Sequence, residues 1–151
     1  MPSTEMSTDE AAIRALIQAQ FDSIDWAPGR DADWQTVHRG FEPGAQLWPA
    51  RRPARPQSSA EFADRLRKLR EDGTLESFSE KGAGCHVRVV GNIAVALAGC
   101  EMVENEATVT RDVSGFLLVK EGEDWRIAAQ AWDYVDDIPA AFAAAGLRED
   151  G

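Results

Sequence analysis

The stretch Cys85–Met102, CHVRVVGNIAVALAGCEM, has two runs of β-branched and small apolar residues on either side of a Gly-Asn pair. A Gly-Asn pair between two such runs is typical of a two-residue hairpin turn. If Gly91 and Asn92 form the turn, Val87 pairs with Ala96 across the two strands. The stretch therefore predicts an antiparallel hairpin, and its register fixes which side chains share a face.

The alternation of side chains along the two strands separates this hairpin into two faces. The first face is wholly apolar and rich in small side chains, so we expect it to point into the interior. The second mixes aliphatic bulk with charge, as at a surface that meets a partner subunit, and we expect a homodimer interface there. The first face holds Cys85, Val87, Val89, Ala94, Ala96, Ala98, Cys100 and Met102, and the second holds His86, Arg88, Val90, Ile93, Val95, Leu97 and Glu101.

Helical patterns precede this hairpin, and further strand patterns follow it. Apolar residues recur at helical intervals behind two Ser-x-x-Glu capping boxes, Ser7–Glu10 and Ser58–Glu61. Predicted helices cover about residues 8–26, a short segment with Trp34 and Val37, about 58–73 and a closing segment at 140–145; predicted strands cover a short segment at 45–48 and about 83–90, 93–104, 108–120 and 124–134. Helices first and an antiparallel meander afterwards predict an α+β domain with the helices on one face of a curved sheet.

The length and the composition are those of one acidic globular domain. The chain has 151 residues, 44% of them hydrophobic, and a formal net charge of −10. Such a charge repels a polyphosphate backbone, so we expect no nucleic-acid partner. No apolar run approaches the roughly 18 residues of a membrane span, and the acidic, polar N-terminus is unlike a secretory signal. We therefore expect a cytoplasmic protein without membrane contact.

Cysteine and histidine are scarce, with two residues of each type. In the hairpin register Cys100 is a diagonal neighbour of Cys85, at about 7–8 Å, which disfavours a disulfide bond. The clustered Cys and His residues that a zinc site requires are missing from the sequence. We predict two buried free thiols, no metal site and no cofactor.

Several motifs along the chain resemble the nuclear transport factor 2-like (NTF2-like) superfamily, in particular its SnoaL-like and ketosteroid isomerase-like branch. These motifs are FEPGAQLW at Phe41–Trp48, the central hairpin, Trp125–Ile127 and the final Ala131-Trp132. The resemblance covers about residues 8–142. It implies an α+β roll, also called cystatin-like: a cone-shaped curved antiparallel sheet packed against three N-terminal helices. It also implies a homodimer joined through the outer face of the sheet.

The resemblance implies one SnoaL-like domain at residues 8–146. We expect residues 1–7 to be a disordered N-terminus and residues 147–151 to be a frayed C-terminus. Hydrolases, isomerases, cyclases, dehydratases and non-catalytic subunits share this fold, so the function has to be argued from the pocket.

Candidate catalytic residues follow partly from the same resemblance. Isomerase-type relatives place a general-base carboxylate just before a proline, but Trp48 stands ahead of Pro49 here, and an indole is only a hydrogen-bond donor. Asp133 is close to where epoxide-hydrolase-like relatives carry an acid at the end of the last strand. The expected register favours Trp132 for the inward position, and a bulge would be required to turn Asp133 inward.

Two further sets of polar residues have side chains that can transfer protons. Arg111 and Asp112 are adjacent on a strand, so their side chains point to opposite faces and cannot both enter the cavity. His86 and Tyr134 are candidate proton donors beside Asp133, although His86 shares the face that we assign to the homodimer.

The loop Arg51-Arg52-Pro53-Ala54-Arg55 concentrates three guanidinium groups in an acidic protein. The resemblance implies that this segment borders the mouth of the cavity. We expect Arg51, Arg52 and Arg55 to hold an anionic substituent of a ligand there through bidentate contacts. The alternative is a solvated loop whose charges balance nearby acids.

The tryptophans separate into structural and pocket-facing residues. Trp125 shares parity with Ile127 and is expected in the core, whereas Trp132 lies among small residues and faces a recess with Gln130 as a polar anchor. The residues predicted to line this pocket are Phe21, Trp48, Val87, Ala96, Gln130 and Trp132.

These observations favour a protein that binds a small hydrophobic or aromatic molecule in an apolar pocket. The first alternative is a cofactor-independent isomerase, hydratase or cyclase that uses Asp133, with His86 or Tyr134 as the proton donor. The second alternative is a non-catalytic interaction module whose cavity is filled by its own side chains and whose partner binds the outer sheet face.

Overall fold

The computed structural model describes residues 7–148, in which four helices pack on a five-stranded sheet with strand order β1-β5-β4-β3-β2. Most of the N-terminal segment 1–7 and of the C-terminal segment 147–151, predicted to be disordered and frayed, lies outside the described residues. The elements are α1 (Thr8–Ser23), α2 (Trp34–Arg39), β1 (Phe41–Trp48), α3 (Ser59–Glu71), β2 (Phe78–Val90), β3 (Ile93–Glu104), β4 (Thr108–Glu121), β5 (Asp124–Tyr134) and α4 (Ile138–Ala144).

The predicted capping residues begin the helices. The Ser7 hydroxyl accepts a hydrogen bond from the Glu10 N–H at 3.0 Å, and Ser58 and Glu61 form a complete capping box before α3. Helix α1 ends at Ser23, earlier than predicted, because Trp26 adopts extended backbone and exchanges two backbone hydrogen bonds with Phe78. This bridge ties the end of the helical half to the first residue of β2.

The α+β architecture is confirmed, but the sheet is mixed. Strands β2 to β5 are antiparallel neighbours, whereas β1 runs parallel to β5 at the edge. The prediction of a wholly antiparallel sheet was wrong for β1, because the chain between β1 and the hairpin strands crosses over through α3 and brings β1 beside the last strand. Strand β2 begins at Phe78, before the predicted residue 83, because pairing with β3 holds its polar first residues extended.

The central hairpin has the predicted register, with Val87 opposite Ala96 and Cys85 opposite Ala98. Most side chains of the first face are buried beneath the helices, as predicted. The second face differs in one place: His86 is buried because the ring of Phe142 in α4 packs on it, with centroids 4.7 Å apart. Helix α4 therefore covers part of the face that the sequence assigned to a partner subunit.

A bulge in β5 decides which residues at the end of that strand face inward. Ile127 pairs with Leu118 and Ala129 with Leu117, so Ala128 is the extra residue. Strict alternation would place Trp132 on the face opposite Ile127. The bulge brings both side chains to the inner face of the sheet and turns Asp133 outward. The expectation that a bulge would be required to turn Asp133 inward was therefore wrong, because strict alternation from Ile127 already gives Asp133 the inward position.

The core lies between α1–α3 and the inner face of the sheet. Trp125 is buried in it, as predicted, and its indole N–H donates to the Asp9 carboxylate at 3.0 Å. Lys120 donates to the same carboxylate oxygen at 2.9 Å, which joins α1 to β4 and β5. Within residues 7–148, no helix is both long enough and apolar enough to cross a lipid bilayer.

Candidate functional site

The concave inner face of the sheet and helices α1–α3 enclose a cavity of about 140 Å³. Its walls are mainly apolar and come from eight of the nine elements. Apolar side chains in the wall include Phe21, Val37, Leu47, Phe62, Leu66 and Met102. A dry apolar cavity of about 150 Å³ binds benzene, so the volume suits a compound with one six-membered ring.

Three acidic residues line this cavity: Glu80 on β2, Glu104 on β3 and Asp112 on β4. Asp112 is 6% exposed, and within residues 7–148 its Oδ1 has no hydrogen-bond partner. Burial raises the pKa of Asp112 to about 7. Burial also raises the pKa of Glu80 well above its usual range, and the nearby charge of Asp112 raises it further. Burial therefore favours the protonated form of both carboxyls.

Strand alternation explains why Asp112 faces the cavity. It occupies an inward position of β4, in phase with the buried residues Ser114 and Phe116. Arg111 points outward and forms an ion pair with Glu101 at 3.1 Å, so the prediction that Arg111 and Asp112 face opposite sides is confirmed. Asp112 is absent from the residues predicted to be catalytic because Arg111 cannot enter the cavity with it, although the strand alternation already marks Asp112 as inward.

Gln130 and Ser114 form a second polar element of the cavity wall. The Gln130 side-chain amide donates to the Ser114 hydroxyl at 3.2 Å, and Ser114 is buried. Trp132 follows on the same face, and its ring meets the ring of Phe62 edge to face with centroids 5.8 Å apart. These groups offer a ring-shaped ligand both a flat apolar wall and a polar contact.

The mouth of the cavity carries Tyr134 and Arg65. Tyr134 is 62% exposed and lies directly opposite Asp112 in the register of β4 and β5. The guanidinium of Arg65 stands 5.8 Å from the centre of the Phe62 ring. Polar groups thus extend from the buried acid to solvent.

Three of the six residues predicted to line the pocket, Phe21, Gln130 and Trp132, lie in the wall of this cavity. Val87 and Ala96 face the same side of the sheet, but they pair with each other inside the packed core. They are covered too completely to line the open space.

Trp48 was predicted in the pocket wall, and the structure places it on the outer face instead. It lies beside Ala131 and Leu117 there, because Leu47 takes the inward position at the end of β1. Neighbouring strand residues point to opposite sides, so only one of the two can enter the cavity.

The predicted catalytic residues are not brought together. The Asp133 side chain is exposed and accepts a hydrogen bond from the Tyr134 N–H at 2.9 Å, so it faces away from the cavity. His86 lies under Phe142 on the outer face and is separated from the cavity by the sheet. Of the three, only Tyr134 lines the cavity. Within residues 7–148, no group of three or more His, Cys, Asp or Glu side chains is arranged to hold a metal ion.

Arg51, Arg52 and Arg55 line a separate recess of about 370 Å³. Arg65 belongs to the walls of both this recess and the cavity. The arginine loop therefore lies next to the cavity mouth.

Solved structures with the same architecture come from several bacteria, although no protein-family model and no curated protein matches the sequence. A domain of unknown function with a cystatin-like fold from Nostoc punctiforme is 16% identical (TM-score 0.65), with 94% of this chain and 86% of that chain covered. An NTF2-like protein of unknown function from Pseudomonas putida is 14% identical (TM-score 0.66; coverage 90% and 94%). A Novosphingobium aromaticivorans protein described as "Putative Scytalone Dehydratase" is 10% identical (TM-score 0.63; coverage 84% of each). The chain has the NTF2-like, or cystatin-like, fold.

Proposed function

We propose that the cavity binds a small, mainly apolar compound with a single ring and that Asp112 transfers a proton to or from it. The observation that carries this proposal is the buried Asp112 carboxyl, whose Oδ1 has no hydrogen-bond partner within residues 7–148 and faces an apolar cavity. Its pKa of about 7 suits both acceptance and return of a proton near neutral pH. The reaction class is a cofactor-independent isomerisation, hydration or dehydration.

The two acidic groups have complementary roles in this reaction. Ionised Asp112 accepts a proton from a carbon or oxygen of the ligand and returns it at another atom. Protonated Glu80 donates a hydrogen bond to the negative charge that develops on the ligand. Both interactions are strengthened by the low polarity of the surrounding walls. The ring of the ligand packs against Trp132 and Phe62, which orient it relative to the carboxyls.

We further propose that the chain belongs to the SnoaL-like and ketosteroid isomerase-like branch of its fold. The Novosphingobium protein is named for a dehydratase, and elimination of water is one of the reactions that a buried acid–base pair can carry out. Asp112 replaces Asp133 as the proton-transfer group, since Asp133 points to solvent.

Proton exchange on a simple cyclic ketone tests this function directly. In D₂O, the protein is expected to bind 2-cyclohexenone and to accelerate deuterium incorporation next to its carbonyl, followed by NMR. Asp112→Asn is expected to retain binding and lose the exchange, whereas the control Asp133→Asn keeps both. Exchange that survives in Asp112→Asn and disappears in Asp133→Asn would contradict the proposal.

Ligand binding without chemistry is the second candidate, and the mainly apolar wall of the cavity favours it. It predicts that cyclic compounds bind equally well to the parent and to Asp112→Asn, and that neither accelerates exchange. An interaction module with a filled cavity is less compatible with the open space of about 140 Å³.

A homodimer through the outer face of the sheet is part of the proposal. This face carries exposed aliphatic side chains on neighbouring strands, with Val90 74% and Val95 55% exposed. They continue into an apolar groove beside Trp48 and Leu117. Contiguous apolar surface of this kind marks interaction sites in soluble proteins. The two free cysteines, Cys85 and Cys100, are compatible with the cytoplasmic location that we also propose.

A further inference from the structure

The recess beside the cavity mouth concentrates positive charge in a chain whose formal net charge is −10. Four guanidinium groups line it, from Arg51, Arg52, Arg55 and Arg65, and the one acidic residue in its wall is Glu61. The Glu61 carboxylate already accepts the backbone N–H of Ser58 at 3.0 Å in the helix cap. Within residues 7–148, none of the four arginines takes part in an ion pair.

Arg52 stabilises the conformation of the loop that carries Arg51, Arg52 and Arg55. Nη1 of Arg52 donates to the backbone carbonyls of Pro49, Ala50 and Arg51 at 3.0–3.3 Å. A guanidinium has five N–H groups, so Nη2 and Nε of Arg52 remain available to an anion. Prolines 49, 53 and 56 restrict the backbone further, which lowers the entropy lost when a ligand orders the loop.

Arg65 connects the recess to the cavity. Its guanidinium is near the Phe62 ring, and that ring contacts Trp132 in the cavity wall. A ligand ring packed against Trp132 is therefore separated from the arginine cluster only by the side chain of Phe62. The two spaces are suited to two parts of one ligand, an apolar ring and an anionic group.

We infer that the arginine recess binds the phosphate group of a ligand whose ring occupies the cavity, so the ligand class is a phosphate ester of a single-ring compound. This inference rests on the proposed function for the position of the ring. A carboxylate is satisfied by one bidentate guanidinium, whereas a phosphate monoester carries nearly two negative charges and three strong acceptor oxygens. The recess has four arginines and one carboxylate, Glu61, which is already hydrogen-bonded. This excess of positive charge matches a phosphate better than a carboxylate, and the planar guanidinium donors suit the geometry of the phosphate oxygens.

Isothermal titration with phenyl phosphate, phenol and inorganic phosphate tests the inference. The parent is expected to bind phenyl phosphate at least about tenfold more tightly than phenol. The double variant Arg51→Ala/Arg55→Ala is expected to lose that advantage and to bind phenol as the parent does. Both side chains are exposed on the loop, so the fold is expected to persist. The control Lys81→Ala/Arg126→Ala removes the same charge from exposed strand positions and is expected to bind like the parent.

Titration with inorganic phosphate tests the recess independently of the proposed function. Phosphate binding that is lost in the arginine variant and kept in Asp112→Asn supports the recess even if no proton exchange is observed. Equal affinities for phenyl phosphate and phenol in the parent would overturn the inference, and so would an equal loss of phosphate affinity in the Lys81/Arg126 control. Proton exchange without any phosphate binding would agree with the proposed function and would refute phosphate binding in the recess.

Discussion

Asp112 and Tyr134 lie directly opposite each other on β4 and β5, the first 6% exposed and the second 62% exposed. This pair of facing residues therefore extends from the buried carboxyl of Asp112 to the solvent-exposed ring of Tyr134. Both side chains line the cavity, so a ligand that contacts Tyr134 lies close to Asp112.

The contribution of Asp112 to the stability of the protein is expected to fall as the pH rises from about 4 to about 7. The pKa of Asp112 is raised to about 7 in the folded state from an ordinary value of 3.8. The stabilisation linked to its protonated form is therefore complete below about pH 4 and is lost as the pH rises through about 7. The difference corresponds to roughly 4 kcal/mol as an upper limit.

Urea unfolding at a series of pH values measures this effect. Asp112→Asn removes the ionisation, so its unfolding free energy is expected to depend less steeply on pH between about 4 and 8. Asp133→Asn, at an exposed position, should keep the slope of the parent. An unchanged slope in Asp112→Asn would show that Asp112 does not titrate in this range.

Leu47→Ala is expected to enlarge the cavity and to destabilise the fold. Leu47 is almost fully buried and lines the cavity wall. Truncation of such a side chain costs about 2–5 kcal/mol of unfolding free energy. The control Val109→Ala, at a side chain that is 46% exposed, should stay within about 0.5 kcal/mol of the parent. Urea unfolding of both variants checks this, and an equal loss in the two would mean that position 47 is not part of a tightly packed wall.

Asp9→Asn is expected to weaken the junction between α1 and the sheet at neutral pH. Hydrogen bonds from Lys120 and Trp125 hold the pKa of Asp9 below its usual range. A lowered pKa means that the stabilisation is present above about pH 4 and is lost as the pH falls through the folded-state pKa. The difference in urea midpoint between parent and variant should therefore shrink on acidification. A difference that grows in acid would contradict the assignment.

Val95→Glu is expected to convert the proposed homodimer into monomers. The substitution places a charge among the exposed aliphatic side chains of the outer face, where burial against a second copy would leave it unpaired. Sedimentation velocity compares this variant with Ala12→Glu, which adds the same charge on the exposed side of α1. A parent that sediments as a monomer at all concentrations would refute the dimer.

The central hairpin was predictable because its signals are local. The turn pair Gly91-Asn92 and the alternation on either side determine the register without reference to the rest of the chain. The same holds for the caps at Ser7 and Ser58. In each case the residues that define the structure are within a few positions of one another.

The site was less predictable because it depends on irregularities and on distant pairings. The bulge at Ala128 has no recognisable sequence signal, because the residues around it are mostly alanine. It nevertheless determines that Trp132 faces inward and Asp133 outward. Glu80 belongs to a polar segment that becomes a strand only when β3 pairs with it. Helix α4 covers His86 through tertiary packing, which the hairpin pattern alone does not contain.

The bulge in β5 also bears on how this scaffold changes over evolutionary time. Removal of Ala128 itself would straighten the strand and leave the indole of Trp132 where it is. Because positions 128 and 129 are both alanine, loss of either codon gives the same chain, in which the extra residue of the bulge absorbs the deletion and Trp132 stays opposite Ser114. The bulge therefore lets the scaffold lose one residue at this point while the same side chains keep facing the chamber.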